Sequence, residues 1–134
     1  MILVDTNVLL DVVTDDPRWA DWSQHQLRAA ALSDRLAINA VIYAEVSIYY
    51  EQIGDLDALL ETAGIAVAEI PRPALFLAGK VFRAYRKARG TKTGVLPDFF
   101  IGAHAAVAKV PLLTRDPRRY RNYYPTAKLI APEG

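Results

Sequence analysis

The chain has 134 residues, of which 52% are hydrophobic and 23% charged, a composition typical of one compact globular domain and not of a disordered or fibrous protein. It contains no cysteine, so disulfide bonds, thiolate metal sites and a cysteine nucleophile are excluded. The net charge of +1 conceals a charge of −8 over residues 1–79 and of +9 over residues 80–134, which favours either a polyanionic partner or attraction between the two halves of the fold.

The first half of the chain is predicted to alternate strands with helices. Short apolar runs predict strands at Ile2–Val4, Leu36–Ile38 and Ile65–Ile70. Capping residues and glycines predict four helices, which run from Asp5-Thr6-Asn7 to Val13, from about Arg18 to Ser33, from the Asn39 cap to about Gln52 before Gly54, and over Asp55–Ala63 before Gly64.

The second half begins with the longest predicted helix, which follows Pro71–Pro73 and ends at about Arg89. A loop with two glycines, Gly90–Gly94, comes next. The remaining predicted elements are a helix from Pro97 through Ala108, a strand at Pro111–Thr114, a short helix at Pro117–Tyr123 and a strand at Lys128–Ile130.

This order of elements predicts the fold class. Strands that alternate with helices form βαβ units, so we expect a single α/β domain over residues 1–134, with a parallel sheet of about five strands flanked by helices. No uncharged stretch reaches the roughly 20 residues of a membrane-spanning helix, and the N-terminus lacks the pattern of a secretion signal. We therefore expect a cytoplasmic protein with no membrane contact.

Four acidic residues stand where such a sheet binds ligands, beyond the carboxyl ends of its strands. Asp5 and Asp116 follow predicted strands, and Glu45 and Asp98 lie early in apolar helices. Each acid alone is also explained by helix capping, by solvation or by a turn. Four carboxylates brought together would repel one another, and a divalent cation removes that penalty. Because all the donors are oxygens, Mg²⁺ or Mn²⁺ is the cation expected.

An enzyme that works without a metal would need other groups as its general acid and base, most often histidines. The chain has two histidines. His25 falls in a polar helix and is expected at the surface. His104 comes six residues after Asp98, about 240° around a helix, so it is expected to point away from that acid and to pack in the interior. The metal-dependent route is therefore favoured.

Three segments of the chain resemble the motifs of PIN domains. Ile2–Asn7 is similar to the opening of that family, Leu96–Ala105 to its third acidic motif, and Leu112–Tyr120 to its fourth. Glu45 lies 40 residues after Asp5, where the second acid of the family is expected. The resemblance covers the whole chain, and its length is that of VapC-type toxins from prokaryotic toxin–antitoxin pairs.

The resemblance implies a function as well as a fold. It implies a ribonuclease that depends on Mg²⁺ or Mn²⁺, cuts RNA and is neutralised by a small cognate antitoxin protein. A homodimer, alone or within a toxin–antitoxin hetero-oligomer, is also expected. The alternative is a catalytically silent PIN-like module that binds RNA or regulates. A phosphatase of the haloacid dehalogenase type is disfavoured, because it needs a second aspartate where Asn7 stands.

Roles follow for individual residues. Asp5 and Asp98 are expected to bind the metal directly, and Glu45 and Asp116 directly or through water, so that all four are catalytic. Three neighbours are expected to orient the carboxylates or the scissile phosphate, namely Thr6, Asn7 and Thr114. The residues expected to contact RNA phosphates are Arg115, Arg118, Arg119, Arg89 and Lys92. Three tyrosines would either stack on bases or pack in the core, namely Tyr120, Tyr123 and Tyr124.

Overall fold

Five short parallel strands form the centre of the computed structural model, which describes residues 1–88 and 96–133. The strands are β1 (Ile2–Val4), β2 (Leu36–Ile38), β3 (Ile65–Val67), β4 (Leu112–Leu113) and β5 (Leu129–Ile130). They lie in the order β3-β2-β1-β4-β5, and every neighbouring pair is parallel. The prediction of a parallel sheet of about five strands is therefore confirmed.

Seven helices connect and cover these strands within the described residues. They are α1 (Thr6–Val13), α2 (Ala20–Ser33), α3 (Ala40–Ser47), α4 (Ile53–Ala63), α5 (Arg72–Lys87), α6 (Pro97–Ala108) and α7 (Arg118–Tyr123). Two of the predicted caps act as expected. The Asp5 side chain accepts a hydrogen bond from the Thr6 backbone N–H, and the Asn39 side chain accepts one from the Ile42 backbone N–H.

Burial along the strands shows where the core lies. Every residue of β1, β2 and β4 is buried, whereas Ala66 and Val67 of the edge strand β3 are exposed. Successive side chains of a strand point to opposite faces of the sheet, so a strand that is buried throughout is covered on both faces. The central strands are thus packed between helices on both faces, which fixes the positions of their carboxyl ends.

The strand order places the candidate site. From β1 the chain moves outward through β2 and β3 on one side, and then returns to build β4 and β5 on the other. The order therefore reverses between β1 and β4, and ligands of open parallel sheets bind at such a reversal. A backbone hydrogen bond of 2.8 Å from the Asp5 N–H to the Leu113 carbonyl joins the two strand ends there.

Two predicted boundaries were wrong in the middle of the chain. Helix α3 ends at Ser47 and not near Gln52, and Gly54 lies in the first turn of α4 instead of ending a helix. The side chains that would continue α3 face solvent, since Ile48 is 79% exposed and Tyr49 55% exposed. An amphipathic helix needs a continuous buried face to extend, and between Ser47 and Ile53 only Tyr50 packs against the core.

Smaller differences concern the ends of other elements. Strand β3 stops at Val67, three residues before the predicted end, and α5 stops at Lys87. The predicted loop Gly90–Gly94 lies outside the described residues. Within the part of the chain that is described, no helix has both the length and the apolar character needed to cross a bilayer.

One close packing contact in α6 leads to a test of the fold. A methyl group on Gly102 would overlap the ring of Tyr124 and come within 3.0 Å of the ring of Tyr120. We expect Gly102→Ala to lower the free energy of unfolding by about 1–3 kcal/mol, because overpacking a dense core forces side chains from their preferred positions. Urea unfolding measures this change.

Gly79→Ala in α5 is the matched control, since a methyl group there meets no atom within 4 Å. That substitution should raise the free energy of unfolding by about 0.5–1 kcal/mol, because alanine favours a helix interior over glycine. Equal effects of the two substitutions would show that Gly102 is not closely packed.

Candidate active site

A cavity of about 680 Å³ opens beside the carboxyl ends of β1 and β4. Its lining includes all four acids singled out in the sequence, namely Asp5, Glu45, Asp98 and Asp116. They arrive from four different segments: the end of β1, the middle of α3, the first turn of α6 and the loop after β4. The fold thus brings together acids that lie far apart in the sequence.

Asp5 is the deepest of these acids, with only 3% of its surface exposed. Its Oδ1 accepts a hydrogen bond of 2.7 Å from the Thr6 backbone N–H. Its Oδ2 accepts from the Thr114 hydroxyl at 2.8 Å, the Tyr120 hydroxyl at 3.0 Å and the Asn7 amide at 3.3 Å. Four donors therefore hold one carboxylate in a single orientation, and the predicted partners Asn7 and Thr114 are among them.

Burial raises the pKa of two of these acids, Asp5 and Asp98. Loss of solvation raises the pKa of Asp5 from 3.8 to about 6, although hydrogen bonds from Thr114 and Tyr120 oppose the rise and the neighbouring Asp98 adds to it. Burial also raises the pKa of Asp98, and the positive charge of Arg119 opposes that rise. Negative charge at this end of the sheet is therefore costly, and a cation placed there would relieve the cost.

Tyr120 joins the two acids from α7. Its hydroxyl lies 3.0 Å from Oδ2 of Asp5 and 3.3 Å from Oδ1 of Asp98. Burial and the two nearby carboxylates raise the pKa of this hydroxyl well above its ordinary value, so it remains a proton donor. With 1% exposure its ring is part of the core, as is that of Tyr124 at 4%, and neither can stack on a base.

Sequence reasoning missed this role of Tyr120. The motif shows that an aromatic residue follows Asp116, but it does not show which way the hydroxyl points. The small residue Gly102 was the available signal, because it leaves room for the Tyr120 ring against α6.

Glu45 is linked to Asp5 through Thr6. The Thr6 hydroxyl donates a hydrogen bond of 2.6 Å to Oε1 of Glu45, while the Thr6 backbone N–H donates to Asp5. One residue of α1 thus touches two of the acids. Of the three neighbours expected to orient carboxylates, each donates a hydrogen bond to at least one acid of the cavity.

Two of the predicted RNA-contacting arginines lie at the rim of the cavity. The Arg119 guanidinium is 3.1 Å from Oδ2 of Asp98, and that of Arg118 is 3.3 Å from Oδ1 of Asp116. The side chains of these pairs are 38–88% exposed, so the ion pairs add little stability and can exchange for a phosphate group.

Arg115 has a different environment. Its Nε donates to both carboxylate oxygens of the buried Asp11, at 2.9 and 2.8 Å, and its guanidinium lies 5.7 Å from the centre of the Trp19 ring. Its backbone N–H donates to Asn7 at 3.2 Å. Arg115 therefore ties the loop after β4 to α1 and to the residue that precedes α2. Arg89 and Lys92, the other two predicted RNA contacts, lie outside the described residues.

Both histidines are described, and neither lines the cavity. His25 is exposed on α2. His104 is buried in α6, where loss of solvation lowers its pKa, and its Nδ1 lies 3.1 Å from the Asn39 amide nitrogen. This placement agrees with the expectation that His104 packs in the interior.

The donor set of the cavity suits a hard divalent cation. Among the described residues, no three acidic or histidine side chains are spaced to hold one ion together. Mg²⁺, however, commonly keeps several waters and takes only one or two carboxylates from a protein. Asp5 and Asp98, which share the Tyr120 hydroxyl, could supply two carboxylates, and Glu45 and Asp116 could act through water.

The chain is similar to known proteins in sequence pattern and in fold. A family model described as "PIN domain" matches residues 2–124. No curated protein matches the sequence. The fold is similar to a chain of VapBC2 from Rickettsia felis, bound to a DNA fragment from its promoter, with a TM-score of 0.74 and 19% identity over 99% of this chain and 100% of that one.

Two further solved structures share the fold. A chain of VapBC-1 from nontypeable Haemophilus influenzae has a TM-score of 0.69 and 21% identity, over 98% of each chain. A chain of FitAcB from Neisseria gonorrhoeae has a TM-score of 0.66 and 20% identity, over 97% of this chain and 96% of that one. The similarity extends over nearly the whole length in every case.

The charge of Asp5 should be visible in the stability of the protein without divalent cations. Because the Asp5 pKa is about 6 in the folded protein and 3.8 ordinarily, the folded state binds this proton more tightly, and the stability that the proton provides is lost as the pH rises through 6. Part of this stability is already lost at pH 5, which lies between the two pKa values, so we expect Asp5→Asn to raise the free energy of unfolding by about 1.4 kcal/mol more at pH 8 than at pH 5.

Urea unfolding in a chelator at both pH values measures this difference. Asp21→Asn, which removes a carboxylate from an exposed position of α2, is the control. An Asp5→Asn effect of the same size at pH 5 and pH 8 would contradict the burial argument.

Proposed function

This chain belongs to the PIN domain family, and from that membership and the geometry of its acidic cavity we propose that it is a Mg²⁺- or Mn²⁺-dependent endoribonuclease toxin of the VapC type. One observation carries the proposal: four carboxylates from four separate segments line one cavity whose rim holds Arg118 and Arg119. The four acids that line the cavity are the same four that the sequence motifs single out.

The residues of the cavity have different roles in the proposed reaction. Asp5 and Asp98 bind the cation, with Glu45 and Asp116 completing the site directly or through water. When bound, the cation acidifies a water molecule and neutralises the negative charge that grows on the phosphate. Thr6, Asn7 and Thr114 hold the acids in place, because they donate hydrogen bonds to Asp5 or Glu45.

RNA is the proposed substrate because cations border the acids. Arg118 and Arg119 present planar guanidinium groups that match the oxygens of a phosphate, and both are at least 45% exposed. The charge of +9 over residues 80–134 extends this attraction beyond the cavity. A polyanion would thus be guided to the metal by the basic half of the chain.

A small cognate antitoxin and a second copy of the chain are the proposed partners, in the cytoplasm. Three apolar residues from the end of α3 to the start of α4 support protein contacts, since Ile48, Tyr49 and Ile53 are 55–79% exposed. Clusters of exposed apolar side chains commonly mark interaction surfaces. The solved structures of similar fold include one described as a toxin–antitoxin complex from Klebsiella pneumoniae.

Loss of a single metal-binding acid should abolish toxicity. Overproduction of the wild-type protein should stop growth, and Asp5→Asn or Asp98→Asn should relieve the arrest, since each removes a proposed ligand. Sequencing of RNA ends after brief induction should show new 5′-phosphate and 3′-hydroxyl ends in wild-type cells, with Asp98→Asn as the control. Undiminished toxicity of both variants would refute this assignment of the acids.

Phosphate contact by Arg118 can be tested through salt dependence. In the Asp98→Asn background, which leaves RNA uncut, Arg118→Gln should weaken binding for all RNA sequences and lower the slope of log affinity against log salt by about 1. Arg28→Gln on the exposed surface of α2, away from the cavity, is the control and should leave the slope nearly unchanged. Equal slopes for the two variants would show that Arg118 does not contact the RNA phosphates.

A further inference from the structure

One buried polar contact involves two residues that do not line the cavity and have no part in the proposed chemistry. Asn39 is 0% exposed and His104 is 1% exposed, and the Asn39 amide nitrogen lies 3.1 Å from Nδ1 of the His104 ring. A polar pair in a core is costly to bury unless both partners are satisfied, and it adds no apolar contact. Such a pair therefore needs a reason beyond filling space.

The hydrogen bonds of Asn39 determine its orientation. Its Oδ1 accepts from the Ile42 backbone N–H at 3.0 Å and so caps α3. The amide NH₂ group must then face His104, and Nδ1 of His104 must be the acceptor, which leaves the ring proton on Nε2. Burial lowers the pKa of His104 and so favours this neutral form. Asn39 thus caps the start of α3 and also donates a hydrogen bond to a side chain of α6.

Both helices carry an acid of the cavity. Glu45 comes six residues after Asn39 in α3, and Asp98 comes six residues before His104 in α6. The two acids line the same cavity, so the helices run in opposite directions past each other, with the polar pair at one end of the contact and the acids at the other. At a rise of 1.5 Å per residue, the pair lies about 9 Å along each helix from its acid.

We propose that the Asn39–His104 hydrogen bond is a positioning contact that fixes α3 against α6 and so sets the separation of Glu45 and Asp98 in the cavity. The proposal rests on the proposed function, since the separation matters for holding a divalent cation. Apolar contacts alone allow two helices to slide or rotate by fractions of an ångström, whereas a directional hydrogen bond at a helix cap fixes the rotation of the helix. The Asn39–His104 pair is thus a positioning pair, because neither residue touches the cation or the RNA.

Two variants of His104 with nearly the same shape test the hydrogen bond. In His104→Asn the side-chain carbonyl oxygen takes the place of Nδ1 and can accept from Asn39. His104→Leu has a similar size but no acceptor. The purified full chain is titrated with Mn²⁺ by calorimetry in the absence of RNA, and kcat and KM for RNA cleavage are measured separately.

We expect His104→Leu to weaken Mn²⁺ binding about tenfold and to lower kcat while KM for RNA stays nearly unchanged, and His104→Asn to stay within about twofold of wild type. Leu60→Val in α4 is the control for general loss of core packing, because Leu60 is buried but does not line the cavity. It should lower stability and leave Mn²⁺ affinity unchanged. Wild-type affinity in His104→Leu, or equal losses in both His104 variants, would overturn the proposal.

Asn39→Ser keeps the test decisive if His104→Leu does not fold. Serine retains a cap for α3 but has no amide to donate to His104. It should weaken Mn²⁺ binding in the same direction as His104→Leu, and unchanged affinity would overturn the proposal. If the wild-type protein binds Mn²⁺ but cuts no RNA, the proposed function fails while the titrations still decide the role of the pair. If the wild-type protein binds no Mn²⁺, both fail.

Discussion

The rest of the site is arranged around the buried carboxylate of Asp5. An ionised carboxylate with 3% exposure is unfavourable unless donors surround it, and here four donors do so. They come from the start of α1, from the end of β4 and from α7, so they meet only because β1 and β4 are neighbours in the sheet and α7 packs against α6 at Gly102. Satisfying one acid therefore requires the same fold that brings the other three acids into the cavity.

The charges of the cavity remain unfavourable even with these donors. The pKa values of Asp5 and Asp98 both lie above their ordinary range because burial outweighs their hydrogen bonds. Exposed arginines compensate only at the rim, where the Arg119 guanidinium lies against Asp98. A cavity in which negative charge is unfavourable favours the binding of a cation, because the cation neutralises the carboxylates and relieves the repulsion between them. Stability and the proposed metal binding are thus opposed at this end of the sheet.

Much of the fold and of the candidate site was predictable from local patterns. Apolar runs marked the five strands, and Asp5 and Asn39 marked the starts of α1 and α3, because strands and caps depend on neighbouring residues. The hydroxyl of Tyr120 and the pairing of Arg115 with Asp11 were not predictable, because each depends on packing between segments about 100 residues apart. Both explanations of the charge asymmetry find support in the ion pairs. Arg115 joins the basic half of the chain to Asp11 of the acidic half, whereas Arg118 and Arg119 pair with acids of their own half at the rim of the cavity.

In the proposed mechanism Asp5 and Asp98 hold a divalent cation at the reversal between β1 and β4. Crystals soaked in Mn²⁺ and measured near the manganese absorption edge test this claim directly, because anomalous scattering locates the ion without assumptions about ligands. We expect a peak at about 2–2.2 Å from carboxylate oxygens of Asp5 and Asp98, with Glu45 and Asp116 at the same distance or one water further away. No peak in the cavity, or a peak that touches neither Asp5 nor Asp98, would contradict it.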